Sequence, residues 1–152
     1  MNWRIGELLV RKKLISWEQL EEVLEEQKKT GELTGEILIR KKYVAPYLFY
    51  KVLAEKHLMQ FIDIKRTRVN PAAIEAVPQS IAEKFKLLPL EISDDTLIIA
   101  ISNPLNMLPD TELKNIVKVT HLRTVLCMPS DIEEGIREFY GRKKTPTAEA
   151  FS

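Results

Sequence analysis

Apolar positions recur at helical spacing along the first 57 residues, and then the whole pattern recurs. Leu20, Val23, Leu24 and Gln27 fall at i, i+3, i+4 and i+7 and share one helix face. Phe49, Val52, Leu53 and Lys56 hold the same places 29 residues later. Aligning Arg4–Gln27 with Leu33–Lys56 pairs Gly6/Gly35, Glu7/Glu36, Leu9/Leu38, Arg11/Arg40, Lys12/Lys41, Lys13/Lys42, Val23/Val52, Leu24/Leu53 and Glu26/Glu55 as identities. Leu8/Ile37, Val10/Ile39, Ile15/Val44 and Leu20/Phe49 match apolar for apolar. Agreement in both identity and pattern marks an internal repeat. Each copy predicts a short helix, a turn and a longer helix. Ser16 with Gln19 three residues on is a capping-box signature, and Pro46 suits the first turn of the second long helix. Ile5, Leu8, Leu9 and Thr34, Ile37, Leu38 fall on matching faces of the short helices. The two hairpins are expected to pack about a pseudo-two-fold or a screw relation.

Beyond residue 60 the pattern changes. Residues 61–85 read as a connecting stretch with helical patches. Leu87–Ile92 is an apolar run interrupted by Pro89, and Ser93-Asp94-Asp95 has turn chemistry. The β-branched run Thr96–Ser102 predicts a strand that pairs with it in a hairpin and ends at Asn103-Pro104. Asp110–Val119 predicts a helix, His121–Met128 a strand, and Ser130–Tyr140 a helix capped by Ser130. The expected fold class is α+β: N-terminal tandem helical hairpins (1–60), then a small β-β-α-β-α subdomain with its connecting segment (61–140), then a linker or tail (141–152).

Composition narrows the function. The 152 residues are 45% hydrophobic and 30% charged, with a formal net charge of +1. That balance excludes a general nucleic-acid binder, which carries a clear basic excess. Cys127 is the single cysteine and sits in an apolar run, so a buried core thiol and a reducing compartment are expected. No run approaches the ~18 apolar residues of a spanning helix, and the N-terminus lacks the apolar core of a signal peptide. These features predict a cytoplasmic protein with no direct membrane insertion. His57 and His121 are isolated, with no metal-ligand spacing. Glu21, Glu22, Glu25 and Glu26 read as a solvated helix face, with Glu25 and Lys29 at i, i+4. No phosphate-cradling G-x-x-x-x-G-K-[ST] loop and no nucleophile–base constellation occurs, so no catalysis and no required cofactor are expected.

Three features admit two readings each. The triplets Arg11-Lys12-Lys13 and Arg40-Lys41-Lys42 are either basic clusters facing one ligand or solvated surface at helix C-termini. Gly6 and Gly35 allow either a ligand or a neighbouring helix to approach the backbone. Trp3, Trp17, Tyr43, Tyr47 and Tyr50 either pack between the hairpins or present an aromatic patch to a partner.

The pattern R-[LI]-G-x-x-[LI]-[LV]-x-x-x-x-I-x-x-x-x-L-x-x-x-L-x-x-Q spans Arg4–Gln27, with a weaker copy at Leu33–Lys56 and the spacer Lys28-Lys29-Thr30-Gly31-Glu32. It resembles the twin 24-residue motif in the N-terminal domain of type II secretion and type IV pilus assembly ATPases. The segments Phe61–Ile64, Asn70-Pro71, Val77-Pro78, Leu88-Pro89-Leu90 and Asn103-Pro104-Leu105 are similar too. The resemblance implies a non-catalytic regulatory and docking domain that binds a cytoplasmic or inner-membrane assembly protein. It implies recruitment to the inner membrane through that partner, and a motor domain for which the polar tail would begin the linker. The alternative it implies is a cyclic di-GMP receptor, lined by Arg4, Ile5, Gly6, Lys13 and Gln27 of the first motif and Thr34, Gly35, Lys42 and Lys56 of the second. The copies depart from the family pattern unevenly. Lys13 and Lys42 replace the second glycine, and Leu33, Thr34 and Lys56 stand where Arg, Leu and Gln are expected. Because a left-handed turn costs lysine roughly 1 kcal/mol more than glycine, a differently shaped turn is expected in both copies.

Overall fold

The computed structural model describes residues 4–105 and 109–149, and the chain divides into two compact units, Met1–Leu58 and Met59–Ser152. The first holds four helices: α1 (Ile5–Arg11), α2 (Trp17–Thr30), α3 (Thr34–Arg40) and α4 (Pro46–Lys56). The start of α2 carries the capping box read from the sequence. Gln19 N–H donates to Ser16 Oγ at 3.1 Å, and Ser16 N–H donates to Gln19 Oε1 at 2.9 Å. Gly31 ends the helix at φ 78°, a conformation glycine adopts without steric cost. Pro46 opens α4, where its missing N–H is no loss.

Besides its hairpin neighbour, each helix packs across the repeat, α1 on α4 and α2 on α3. Leu9, Ile15, Leu20 and Val23 form the core with Leu38, Val44, Phe49 and Val52, which are the same four positions shifted by 29. Lys12 Nζ pairs with Glu55 at 3.0 Å, and Lys41 Nζ pairs with Glu26 at 3.2 Å. These two bridges are repeat equivalents of one another. A contact from position i to j′ that returns from i′ to j is the signature of a two-fold, so the screw alternative falls away.

The second unit has a 3₁₀ turn (Ile64–Arg66), α5 (Pro71–Ala76), α6 (Gln79–Phe85), β1 (Leu87–Ser93), β2 (Thr96–Ile101), α7 (Asp110–Val117), β3 (His121–Leu126) and α8 (Pro129–Glu149). The sheet order is β1-β2-β3, antiparallel then parallel, with α7 in the parallel crossover. Asp94 and Asp95, at φ 47° and 66°, make the two-residue hairpin loop. Helices α5, α6 and α8 cover β1, burying Ala73, Ile74, Ala82, Leu88, Leu90 and Ile132. Tyr140 is buried on α8, and its hydroxyl donates to the Val77 carbonyl at 2.8 Å.

Three expectations need correction. Pro89 does not interrupt its run. β1 is an edge strand, so the absent N–H costs no ladder bond, and the register shift between Pro89 and Glu91 frees the Leu90 carbonyl to accept from Asn70 N–H at 2.8 Å. Residues 61–85 carry the helical patches expected of them. They supply α5 and α6, and Phe61 bridges in parallel to Leu126 on the β3 edge. Ser130 is not the cap of the last helix, because Pro129 takes the first position and the Met128 carbonyl receives the N–H groups of Asp131 and Ile132. Finally, α8 continues past Tyr140 to Glu149, through much of the expected tail. Arg and Lys are good helix formers, and propagation costs little once a helix is anchored.

Candidate functional site

The twin-motif residues all lie on the four-helix unit. Arg4 precedes α1 in extended conformation (φ −66°, ψ 155°) and is exposed, and Leu33 precedes α3 in the same conformation (φ −71°, ψ 146°) and is 52% exposed. Ile5 and Thr34 are the first residues of the two short helices and both are half-buried. Gly6 and Gly35 are buried one residue later. A Cβ on Gly6 would lie 2.5 Å from Leu20 Cδ1, and one on Gly35 would run into the Phe49 ring. Leu20 and Phe49 are themselves repeat equivalents. Both glycines therefore have a packing role whatever else approaches them.

Lys13 and Lys42 follow the short helices, and both are exposed at φ 62°. The differently shaped turn expected from these lysines is not found. Both copies keep the left-handed conformation that glycine would favour. Two carbonyl acceptors hold each turn closed: Lys13 and Leu14 donate to Val10 and Leu9, as Lys42 and Tyr43 donate to Ile39 and Leu38. That hydrogen bonding offsets the strain of roughly 1 kcal/mol at lysine.

Gln27 lies in the last turn of α2 and Lys56 ends α4, both half-buried. The reciprocal bridges fix their surroundings. The Lys41–Glu26 pair brings the Gln27 end of α2 to the Lys42 end of α3, and the Lys12–Glu55 pair brings the Lys56 end of α4 to the Lys13 end of α1. The helix starts, with Arg4, Ile5, Gly6, Thr34 and Gly35, lie about 10 Å along α1 and α3 from those lysines. The motif residues lie at the two ends of the short helices and on the ends of α2 and α4 that these bridges reach.

The basic triplets match neither of their sequence readings as a whole. Arg40 binds Glu26 and also Glu32 at 3.0 Å, and Lys41 reaches Glu26 at 3.2 Å and Glu22 at 3.5 Å. The Tyr43 hydroxyl donates to Glu22. The Tyr43 hydrogen bond leads in holding the Glu22 carboxyl below its ordinary pKa, and the Arg40 hydrogen bond does the same for Glu26. Hydrogen bonding to Glu26 in turn raises Arg40 and Lys41. These charges bind helix to helix, while Lys13 and Lys42 make no ion pair among the described residues. Sequence reasoning missed Glu26 and Glu55 as the reciprocal partners, although their identity across the repeat was the available signal.

Of the aromatic group, Tyr43 and Tyr50 pack on the core, while Trp17 is 52% and Tyr47 53% exposed; Trp3 lies outside the described residues. Trp17, Lys13, Leu14 and Gln19 line a shallow groove beside the first turn. Cys127 is buried, and burial pushes its thiol pKa far up. Among the described residues no group of His, Cys, Asp and Glu is placed to hold a metal ion, and no helix is long and apolar enough to cross a membrane.

The chain is 32% identical to the type IV pilus assembly ATPase PilB of Myxococcus xanthus over 94% of its own length, and 33% identical to PilB of Thermus thermophilus over 92%. It spans 25% of the first relative's length and 15% of the second's. Its fold matches the structure of MshE with cdg (cyclic di-GMP) at a TM-score of 0.82 and 29% identity, over 91% of this chain and 99% of that one. That match takes in the twin-motif unit, whereas the MshEN domain family matches residues 57–146, the α+β unit. As this stretch is more than half of its length, the chain belongs to the MshEN domain family.

Proposed function

We propose that the chain is a non-catalytic regulatory module of a type IV pilus or type II secretion ATPase, and that its twin-motif unit binds cyclic di-GMP. The observation that carries this reading is the likeness, at 29% identity and a TM-score of 0.82, to MshE solved with that ligand. Arg4, Gly6 and Gln27 keep the first motif's family residues, and Arg4, a five-donor side chain, is exposed. Binding would act on a motor domain through differential affinity for two arrangements of the larger protein, in the cytoplasm where its nucleotide is found. Calorimetric titration of residues 1–152 with cyclic di-GMP tests it. Saturable heat is expected, and Arg4→Ala should abolish most of it. No heat together with no thermal shift at high ligand would refute it.

A second reading, docking on a cytoplasmic or inner-membrane assembly protein, is favoured by exposed Trp17, Leu24, Leu33, Tyr47 and Leu48 on the same unit. Trp17→Ser with Tyr47→Ser should weaken co-purification with the pilus or secretion assembly proteins. An unchanged yield removes this reading.

A further inference from the structure

The four-helix unit has a symmetric backbone and asymmetric chemistry. The glycine pair, the left-handed lysine pair, the reciprocal ion pairs and the four equivalent core positions all obey the pseudo-two-fold. The residues ahead of α1 and α3 also share one backbone conformation, within 9° in φ and ψ (−66° against −71°, 155° against 146°). Yet one is Arg4 and the other is Leu33. Leu33 does not turn inward to make up for the lost arginine, since it is 52% exposed. The positions that close the motifs differ in the same sense, an amide at Gln27 against a point cation at Lys56.

These differences bear on which base each half can select. An arginine fork donates two parallel hydrogen bonds to guanine O6 and N7, whereas adenine presents an amino donor in place of O6 and repels the fork. Leucine offers an apolar contact to either purine face and no edge donor. A lysine ammonium is a compact cation without the planar, two-pronged geometry that reads a base edge.

We infer that the unit demands guanine in only one half of its ligand, and that it takes a mixed guanine–adenine cyclic dinucleotide about as well as cyclic di-GMP. This rests on the reading that the twin-motif unit binds a cyclic dinucleotide. Arg4 selects the guanine, and the Leu33 side accepts either purine by stacking and shape. The chain would then answer to a broader set of second messengers than a unit with arginine in both copies.

The test is a calorimetric comparison of residues 1–152 with cyclic di-GMP, 3′,3′-cyclic GMP–AMP and cyclic di-AMP. The mixed ligand should bind no more than about threefold more weakly than cyclic di-GMP. Cyclic di-AMP should be weaker by about tenfold or more, the discrimination one arginine fork supplies. Leu33→Arg, at an exposed position that leaves the core intact, should make cyclic di-GMP preferred over the mixed ligand by about tenfold. A wild-type preference of that size for cyclic di-GMP overturns the inference and leaves the binding reading standing. Equal affinity for all three ligands also overturns it, as does an unchanged ratio in Leu33→Arg. Absence of any cyclic di-GMP binding overturns the binding reading itself.

Discussion

Gly35→Ala isolates what the repeat geometry demands. An added Cβ would meet three atoms of the Phe49 ring, and that ring is itself held edge-on to Tyr50 at a centroid distance of 5.2 Å. A ring gives way only as a whole, so the substitution forces overpacking, which costs about 1–3 kcal/mol. Helix propensity returns at most about 1 kcal/mol when alanine replaces glycine. The net expectation is a loss of about 1–2 kcal/mol. For a unit of this size that lowers Tm by roughly 4–16 °C. Gly6→Ala meets only the end of the flexible Leu20 side chain, at 2.5 Å from Cδ1, so a rotamer change can relieve it. Its net effect should stay within about 0.5 kcal/mol. The repeat also supplies the rescue. Phe49→Leu places in the second copy the side chain that the first copy carries, and it should recover part of the Gly35→Ala loss in a double-mutant cycle. Urea melts of the four variants provide the measurement. Equal losses from the two glycine substitutions, or strict additivity of Gly35→Ala with Phe49→Leu, would refute the argument.

Three further outcomes follow from the packing and charges. Glu22 and Glu26 have depressed pKa values in the fold, so their stabilisation is complete above the ordinary carboxylate value of 4.5 and is lost as pH falls through the folded values. Thermal melts from pH 7 to 3 should therefore show the helical unit weakening below about pH 4.5, and Glu26→Gln should flatten that dependence. Tyr140→Phe removes the donor to the buried Val77 carbonyl and should cost about 1–2 kcal/mol in chemical denaturation of the α+β unit. Cys127, buried and with its thiol pKa raised chiefly by desolvation, should resist a thiol-specific disulfide reagent in the native protein and react promptly in denaturant.

Features written in short-range chemistry were legible in the sequence. The Ser16–Gln19 capping box, Pro46 at its helix start, the Asp94-Asp95 loop and the repeat itself all depend on neighbours a few residues apart or on direct comparison of two segments. The errors fell where a distant element decides. Pro89 is tolerated because β1 lies at the sheet edge, a fact that is not encoded near that residue. The left-handed lysine turns run against residue propensity because backbone hydrogen bonds hold the conformation. The motif positions could be placed on helix ends in advance, but their grouping could not, since it depends on the crossed pairing of α1 with α4 and α2 with α3.

The reciprocal Lys12–Glu55 and Lys41–Glu26 bridges give the four-helix unit the logic of a dimer whose subunits happen to be fused. The link Gly31–Leu33 between α2 and α3 then works as a tether, turning an encounter between two hairpins into an intramolecular event at an effective concentration on the order of millimolar. A hairpin severed from its twin keeps a surface already shaped to fit its own kind. Exchange of hairpins between neighbouring molecules is accordingly the assembly error to which this architecture is most exposed, and a short link between the twins invites it.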